Sequence, residues 1–235
     1  MNTPASTTRQ RLNPAMRRQQ ILESAIACFA EHGFAVRTRE LTKRIGVSQP
    51  LLYRYFASKD AVIEAVIEAV FLKPLRADWA TDLTNRAVPL RQRLQTFYMR
   101  YADATYRPEW IRLYMYAGLA NMPLNRDYLA LVRDQLLQPI CQELHHEFMG
   151  RARHQPAGPR ELELAWTLHG SMFYWAVRRN IFQANPLVPF AQRSDDAIDL
   201  FLHGARAIYP TLVAAEPQAS QRPRQKSKGS PSPTR

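Results

Sequence analysis

From Pro14 onward, apolar side chains recur at three- and four-residue intervals, the spacing of a helix with one buried face. Ile21, Leu22, Ala25, Ile26 and Phe29 open the series, and Gly33 closes it as a C-terminal cap. Thr38 predicts an N-cap for a short second helix that turns Leu41 and Ile45 inward before Gly46 stops it. Ser48 starts a third, running through Leu52 to Phe56, with Pro50 in its tolerant first turn. Ser58 caps a fourth, reaching about Phe71, and Pro74 ends or kinks it. Further helices are expected near residues 88–106, 108–120, 124–149, 160–183 and 193–209, separated by proline- or glycine-bearing breaks. No stretch alternates with the two-residue period of a strand, so the expected fold class is all-α.

Composition sharpens this picture at the two ends. The net charge is +12, and residues 1–60 hold ten basic against four acidic side chains. Residues 211–235 add five basic side chains and one acid, leaving the long middle nearly neutral. Basic ends around a neutral body point to a polyanionic partner. Residues 1–13 read as a flexible basic arm, and residues 211–235, rich in Pro, Ser and Gln, as a disordered basic tail. Cys28 and Cys141 are far apart within apolar helical patterns, which suits a reducing cytoplasm rather than a disulfide framework. The polar N-terminus gives no signal peptide, and the longest apolar run is broken by Glu64 and Glu68, so no membrane span is expected.

The chemistry-bearing segment is residues 37–59. Two short helices joined through Gly46-Val47-Ser48 have the design of a helix-turn-helix. Gly46 accepts the left-handed conformation of the turn. The second helix is too short to stand alone and needs Leu41, Ile45, Val47, Leu52 and Phe56 packed beneath it. That leaves Gln49, Leu51, Tyr53, Arg54 and Tyr55 facing out, an unusual surface for a solvated helix and a natural one for a groove reader.

Gly46-Val47-Ser48 followed by Leu52-Tyr53-Arg54-Tyr55-Phe56 and Lys59 resembles the DNA-binding domain of the TetR family of transcriptional regulators. The Gln49-Pro50 pair resembles that of the tetracycline repressor. The resemblance implies a homodimer on a pseudo-palindromic double-stranded operator, acting as a repressor released by a small ligand. Carried over residue by residue, it gives Arg39 and Gln49 contacts to base edges, for which guanine and adenine are the matching bases. It gives Thr38, Tyr53, Tyr55 and Lys59 contacts to phosphates, and Pro50 and Leu51 apolar contact with thymine methyl groups. Leu51 replaces a hydroxyl residue of the tetracycline repressor, and Arg54 replaces a bulky aromatic. The expected organisation is a three-helix DNA-binding domain over residues 14–60 and a helical ligand-binding and dimerisation domain over 61–210.

In that second domain, aromatic side chains crowd two neighbouring helices and a third. Tyr101, Trp110, Tyr114, Trp166, His169 and Phe173 are the candidate ligand-pocket residues, for a small and largely apolar effector. Leu162, Trp166, His169 and Phe173 share one stripe, while Leu164, Leu168, Ser171 and Trp175 share another, so this helix must be covered on several sides. The last helix carries Ile198, Phe201, Leu202, Ala205 and Ile208, with Gly204 and Ala207 small enough for close approach of a second copy. Cys141, His145 and His146 are too few for a tetrahedral metal site, and no catalytic motif or cofactor-binding glycine loop is present. The expectation is therefore no enzyme, no metal and no cofactor. Two rivals stay open: a regulator that activates or answers to a protein effector, and a helical lipid-binding or membrane-surface module anchored by its basic ends.

Overall fold

The computed structural model describes residues 13–74, 79–152 and 155–214, with only the backbone of residues 79 and 80. The expected arm before Asn13 and the tail from residue 215 lie outside them. Among the described residues the fold is all-α, and no helix is long and apolar enough to cross a membrane.

Three helices form the head. In α1 (Pro14–His32), the Asn13 side chain accepts from the Ala15 N–H at 3.0 Å, and Gly33 ends the helix with its N–H on the Phe29 carbonyl. Helix α2 (Thr38–Ile45) begins one residue earlier in effect than expected. Arg37, with extended backbone and no side-chain cap, occupies the cap position, and Thr38 is already helical. Gly46 then takes the left-handed conformation, φ 70° and ψ 34°, as the turn requires. Helix α3 (Gln49–Tyr55) is capped by Ser48, whose hydroxyl accepts from the Leu51 N–H. Leu41, Leu52 and Phe56 are buried at the junction with Ile45 and Val47 packed beside them, the arrangement the apolar pattern requires.

Helix α4 (Lys59–Ile67), capped by Ser58, runs on into a π-helical turn at Glu68–Leu72, just before Pro74. Such turns rotate the following side chains relative to the α-helical register. Here the turn sets Phe71 in the core, fully buried.

The body comprises α5 (Trp79–Thr84), α6 (Leu90–Thr105), α7 (Pro108–Leu119), α8 (Pro123–Val132), α9 (Gln138–Met149), α10 (Pro159–Asn180) and α11 (Phe190–Ala214). Helix α5 has no counterpart in the sequence pattern. Six residues are too few to nucleate a helix unaided. Leu83 is buried under it, Arg93 donates to the Leu83 carbonyl, and Asp82 pairs with Arg100. The expected single helix over 124–149 contains a π-helical turn at Arg133–Leu137, where Pro139 has no N–H to continue the normal ladder. Helix α11 also outruns its expected end and contains Pro210. Tyr209 and Leu212 are buried, and the Tyr209 hydroxyl donates to Glu161 Oε1 at 2.5 Å, so tertiary contacts hold a turn that local preference would release. Residues 211–214, placed in the tail by sequence, are therefore helical.

One continuous cluster of buried apolar side chains runs from Ile21 in α1 to Tyr209 in α11. The boundary drawn at residue 60 is a boundary in charge and motif rather than a gap in the core.

Candidate nucleic-acid interface and aromatic core

The helix-turn-helix presents its outward residues unevenly. Arg39, Gln49, Pro50, Tyr53 and Arg54 are exposed, with Tyr53 at 45 %. Thr38, Leu51, Tyr55 and Lys59 are half-buried. Tyr55 packs against the core along one side, which fixes its ring. Lys59 has a second task that sequence did not reveal: its Nζ donates to the Phe34 carbonyl at 2.7 Å. That bond ties the start of α4 to the turn after α1, on either side of α2 and α3. An ammonium has three donors, so this bond leaves Lys59 able to meet an anion as well.

Neighbouring charges are partly engaged. Arg44 pairs with Glu40 one turn away at 2.7 Å, and the Arg18 guanidinium sits over the Phe56 ring at 4.6 Å. Arg39, Gln49 and Arg54 are each exposed. Chemically, α2 and α3 together offer two exposed guanidinium groups, one exposed amide and an exposed tyrosine.

The six aromatic-domain candidates come together in the body. Trp166 and His169 meet edge to face at 5.5 Å, and His169 meets Tyr101 at 5.2 Å. The Tyr101 and Tyr128 hydroxyls are 2.9 Å apart. Trp110 stacks on Tyr114 at 5.0 Å, and Tyr114 meets Phe173 at 5.6 Å. Sequence reasoning missed the two rings that join these pairs. Tyr128 of α8 contacts Trp110 and Tyr114, and Phe71 contacts Trp110 at 5.1 Å. Phe71 was legible only as the end of an apolar run; Tyr128 carried no signal. Burial pushes the His169 pKa down to about 4 and raises the Tyr98, Tyr106 and Tyr128 phenols above their ordinary value.

The buried charged side chains of the body serve other contacts. Glu143 takes a two-bond contact from Arg86 and a 2.7 Å bond from Arg93. Burial works against its ionisation, but the bonds from Arg86 and then Arg93 outweigh that and hold its pKa below the ordinary value. Cys141, considered above with two histidines, donates its thiol to the Glu161 carbonyl at 3.3 Å.

Comparison with known proteins bears on both parts. The family "Bacterial regulatory proteins, tetR family" matches residues 21–66, from within α1 through most of α4. The HTH-type transcriptional repressor AcnR of Corynebacterium diphtheriae is 30 % identical over 118 residues, covering 41 % of this chain and 57 % of AcnR. The nucleoid occlusion factor SlmA of Glaesserella parasuis is 46 % identical over 56 residues, 23 % of this chain and 28 % of SlmA. The matches thus span about half or less of these relatives' lengths. A solved transcriptional regulator from Pseudomonas aeruginosa PAO1 shares the fold, with a TM-score of 0.64 at 20 % identity over 87 % of this chain and 98 % of the other. Residues 21–66 thus match the tetR family of bacterial regulatory proteins, and the described helices as a whole share the fold of the solved regulator from Pseudomonas aeruginosa.

Proposed function

We propose that this chain is a homodimeric, sequence-specific DNA-binding transcriptional regulator, a cytoplasmic repressor that leaves its operator when a small, largely apolar molecule enters the aromatic core. The observation that carries the reading is α3. Gln49, Tyr53 and Arg54 stand exposed on a seven-residue helix whose stability depends on Leu52 and Phe56 beneath it. Arg39 and Gln49 are its base readers. Thr38, Tyr53, Tyr55 and Lys59 hold phosphates, Pro50 and Leu51 meet thymine methyl groups, and Arg54 reads or grips the same groove.

Dimerisation is supported by an exposed apolar surface on α10 and α11. Leu200 is 78 % exposed, and Ile208 and Tyr174 are about half exposed. On α11, Leu200, Gly204, Ala207 and Ile208 all face out at helical spacing. Two copies joined there would carry two reading heads, which must stand about one DNA turn apart, roughly 34–36 Å, to enter successive grooves. Two helices connect the aromatic core to each head. Phe71 sits in the π-helical turn that extends α4, and α7 carries Trp110 and Tyr114 inward while its Arg112 donates to the Ala30 carbonyl at the end of α1.

The test is to retain fragments of the source genome on the purified chain and sequence them. A recurring inverted repeat with half-sites one turn apart is the expected result. Retention of fragments with no shared sequence would overturn it and favour a lipid- or polyanion-binding module. The likeness to SlmA over 56 residues favours a second reading, DNA binding that serves nucleoid occlusion. Sites concentrated at promoters support the regulator; sites scattered through coding sequence support occlusion.

A further inference from the structure

The aromatic core contains polar atoms that its own side chains leave unanswered. Tyr98, Tyr106, Trp110 and His169 are each more than nine-tenths buried. The hydroxyls of Tyr98 and Tyr106, the indole Nε1 of Trp110 and the Nδ1 of His169 have no hydrogen-bond partner among the described residues. Tyr101 and Tyr128, in the same cluster, satisfy each other. Burying a polar group without a partner is unfavourable, so such atoms are rare in a packed interior. Four of them in one cluster mark a place built to meet something else.

They also belong to one connected set of rings. Tyr98 and Tyr101 both lie against His169, Tyr106 meets Tyr101 edge to face at 5.7 Å, and Trp110 lies against Tyr128, whose hydroxyl bonds to Tyr101. The cluster is not sealed, because Tyr114, Trp166 and Phe173 on its border remain partly exposed.

The kind of atom missing can be read from the donors. An indole N–H only donates, and each phenol carries a proton to place, so three of the four groups call for an acceptor. Burial keeps His169 neutral near pH 7 and keeps the phenols protonated. The buried ionic groups of the described body, Arg93, Glu143 and Glu161, are bonded elsewhere, to one another or to Tyr209. A carboxylate placed here would shed its water without meeting a cation, and an ammonium would meet donors where it needs acceptors. Aromatic faces attract cations, but no carboxylate among the described residues reinforces them in this cluster.

Resting on the effector reading above, we propose that the ligand of this core is an uncharged ring compound bearing carbonyl or ether oxygens, which accept hydrogen bonds from Trp110, Tyr98 and Tyr106.

The experiment is calorimetric titration of the full chain with four probes that share one ring system: naphthalene, 1-acetonaphthone, 1-naphthoate and 1-naphthylmethylammonium. Expected is at least tenfold tighter binding of acetonaphthone than of the other three. Tyr98→Phe, Tyr106→Phe and Trp110→Phe, each keeping a ring, should cut the acetonaphthone-to-naphthalene ratio to below about threefold. The two tyrosine variants remove only a hydroxyl, so folding of at least these is expected and is checked by circular dichroism. Tightest binding of the acid or the amine overturns the proposal. So does binding of none of the four, or a preference that survives all three substitutions. Operator titration beside each probe separates this proposal from the reading beneath it. Acetonaphthone that binds without changing operator affinity keeps the ligand class and removes release. Release by the acid or the amine keeps release and removes the ligand class.

Discussion

The Tyr116 ring lies 3.0 Å from the point a Cβ would occupy on Gly33, and its hydroxyl donates to the neighbouring Glu31 carbonyl at 3.0 Å. One turn earlier on α7, Arg112 donates to the Ala30 carbonyl at 2.6 Å. The last carbonyls of a helix have no partners within it. Those of α1 are met by the same helix that carries Trp110 and Tyr114 into the aromatic core. Gly33 itself has φ 75°, a region that side chains rarely adopt. Gly33→Ala therefore meets both backbone strain and a ring, and is expected to destabilise the protein by about 1–3 kcal/mol. Urea denaturation reads this as a lowered midpoint at unchanged slope; an unmoved midpoint would show that the Tyr116 ring yields freely.

Arg39 and Lys59 should separate specificity from grip. Arg39→Ala is expected to weaken operator binding by about 1–3 kcal/mol while leaving random duplex affinity nearly unchanged. Lys59→Ala should weaken binding on every sequence and reduce its salt dependence. Because Lys59 also bonds the Phe34 carbonyl, it should lower the melting temperature as well. Titration of both variants on operator and scrambled duplex, at two salt concentrations, checks this. Equal losses on both duplexes for Arg39→Ala would remove it from the base readers.

Glu143 holds Arg86 and Arg93 together, and Arg93 is buried with it. Glu143→Gln leaves a buried guanidinium without its counter-charge, which costs on the order of 3–5 kcal/mol. The carboxyl titrates lower in the folded state than in the unfolded chain. Its contribution is therefore complete above the unfolded pKa, about 4.3, and is lost as pH falls through the lower folded value. Denaturation at neutral pH, at pH 4 and at about pH 2.5 should show the gap between wild type and variant narrowing progressively in acid. A constant gap would mean the charge is not the source of the stability.

His169 has the opposite charge type but the same direction of loss. Burial depresses its pKa to about 4, against about 6.5 in the unfolded chain. The unfolded state takes up the proton first as pH falls, so stability declines between about 6.5 and 4. The full decline is on the order of 3 kcal/mol. In His169→Phe that component should disappear, read as a smaller difference in unfolding free energy between pH 6.5 and 4.5. If both proteins lose equal stability, the imidazole is hydrated rather than buried.

Gly204 sits on the exposed face of α11, with nothing within 4 Å of a Cβ built there. Gly204→Arg thus has room within one copy and should fold. It meets trouble only if a second helix packs on that face, and the expected outcome is a folded monomer with weakened operator affinity. Sedimentation velocity reads the result directly. A dimer of undiminished stability would move the interface off this face.

What the sequence determined by itself was whatever neighbours along the chain could state. Ser48 and Ser58 cap helices because a short polar side chain reaches the free N–H groups two or three residues on. Gly46 marks the turn because only glycine enters the left-handed region freely. The apolar spacing of Leu41, Leu52 and Phe56 sorts buried from exposed positions in the head, and so exposes Arg39 and Gln49. Tertiary structure decided everything that depends on residues distant in sequence. Helix α5 forms because Arg93 and Arg100 reach it from α6. Helix α11 continues past Pro210 because Tyr209 is bonded to Glu161 on α10. Phe71 and Tyr128, 57 positions apart, join the predicted aromatics into one cluster, their rings 6.1 Å apart. Periodicity records which face of a helix is buried, since that follows from the 3.6-residue turn. It carries no record of which other helix covers that face, because that partner is set by the packing of the whole chain.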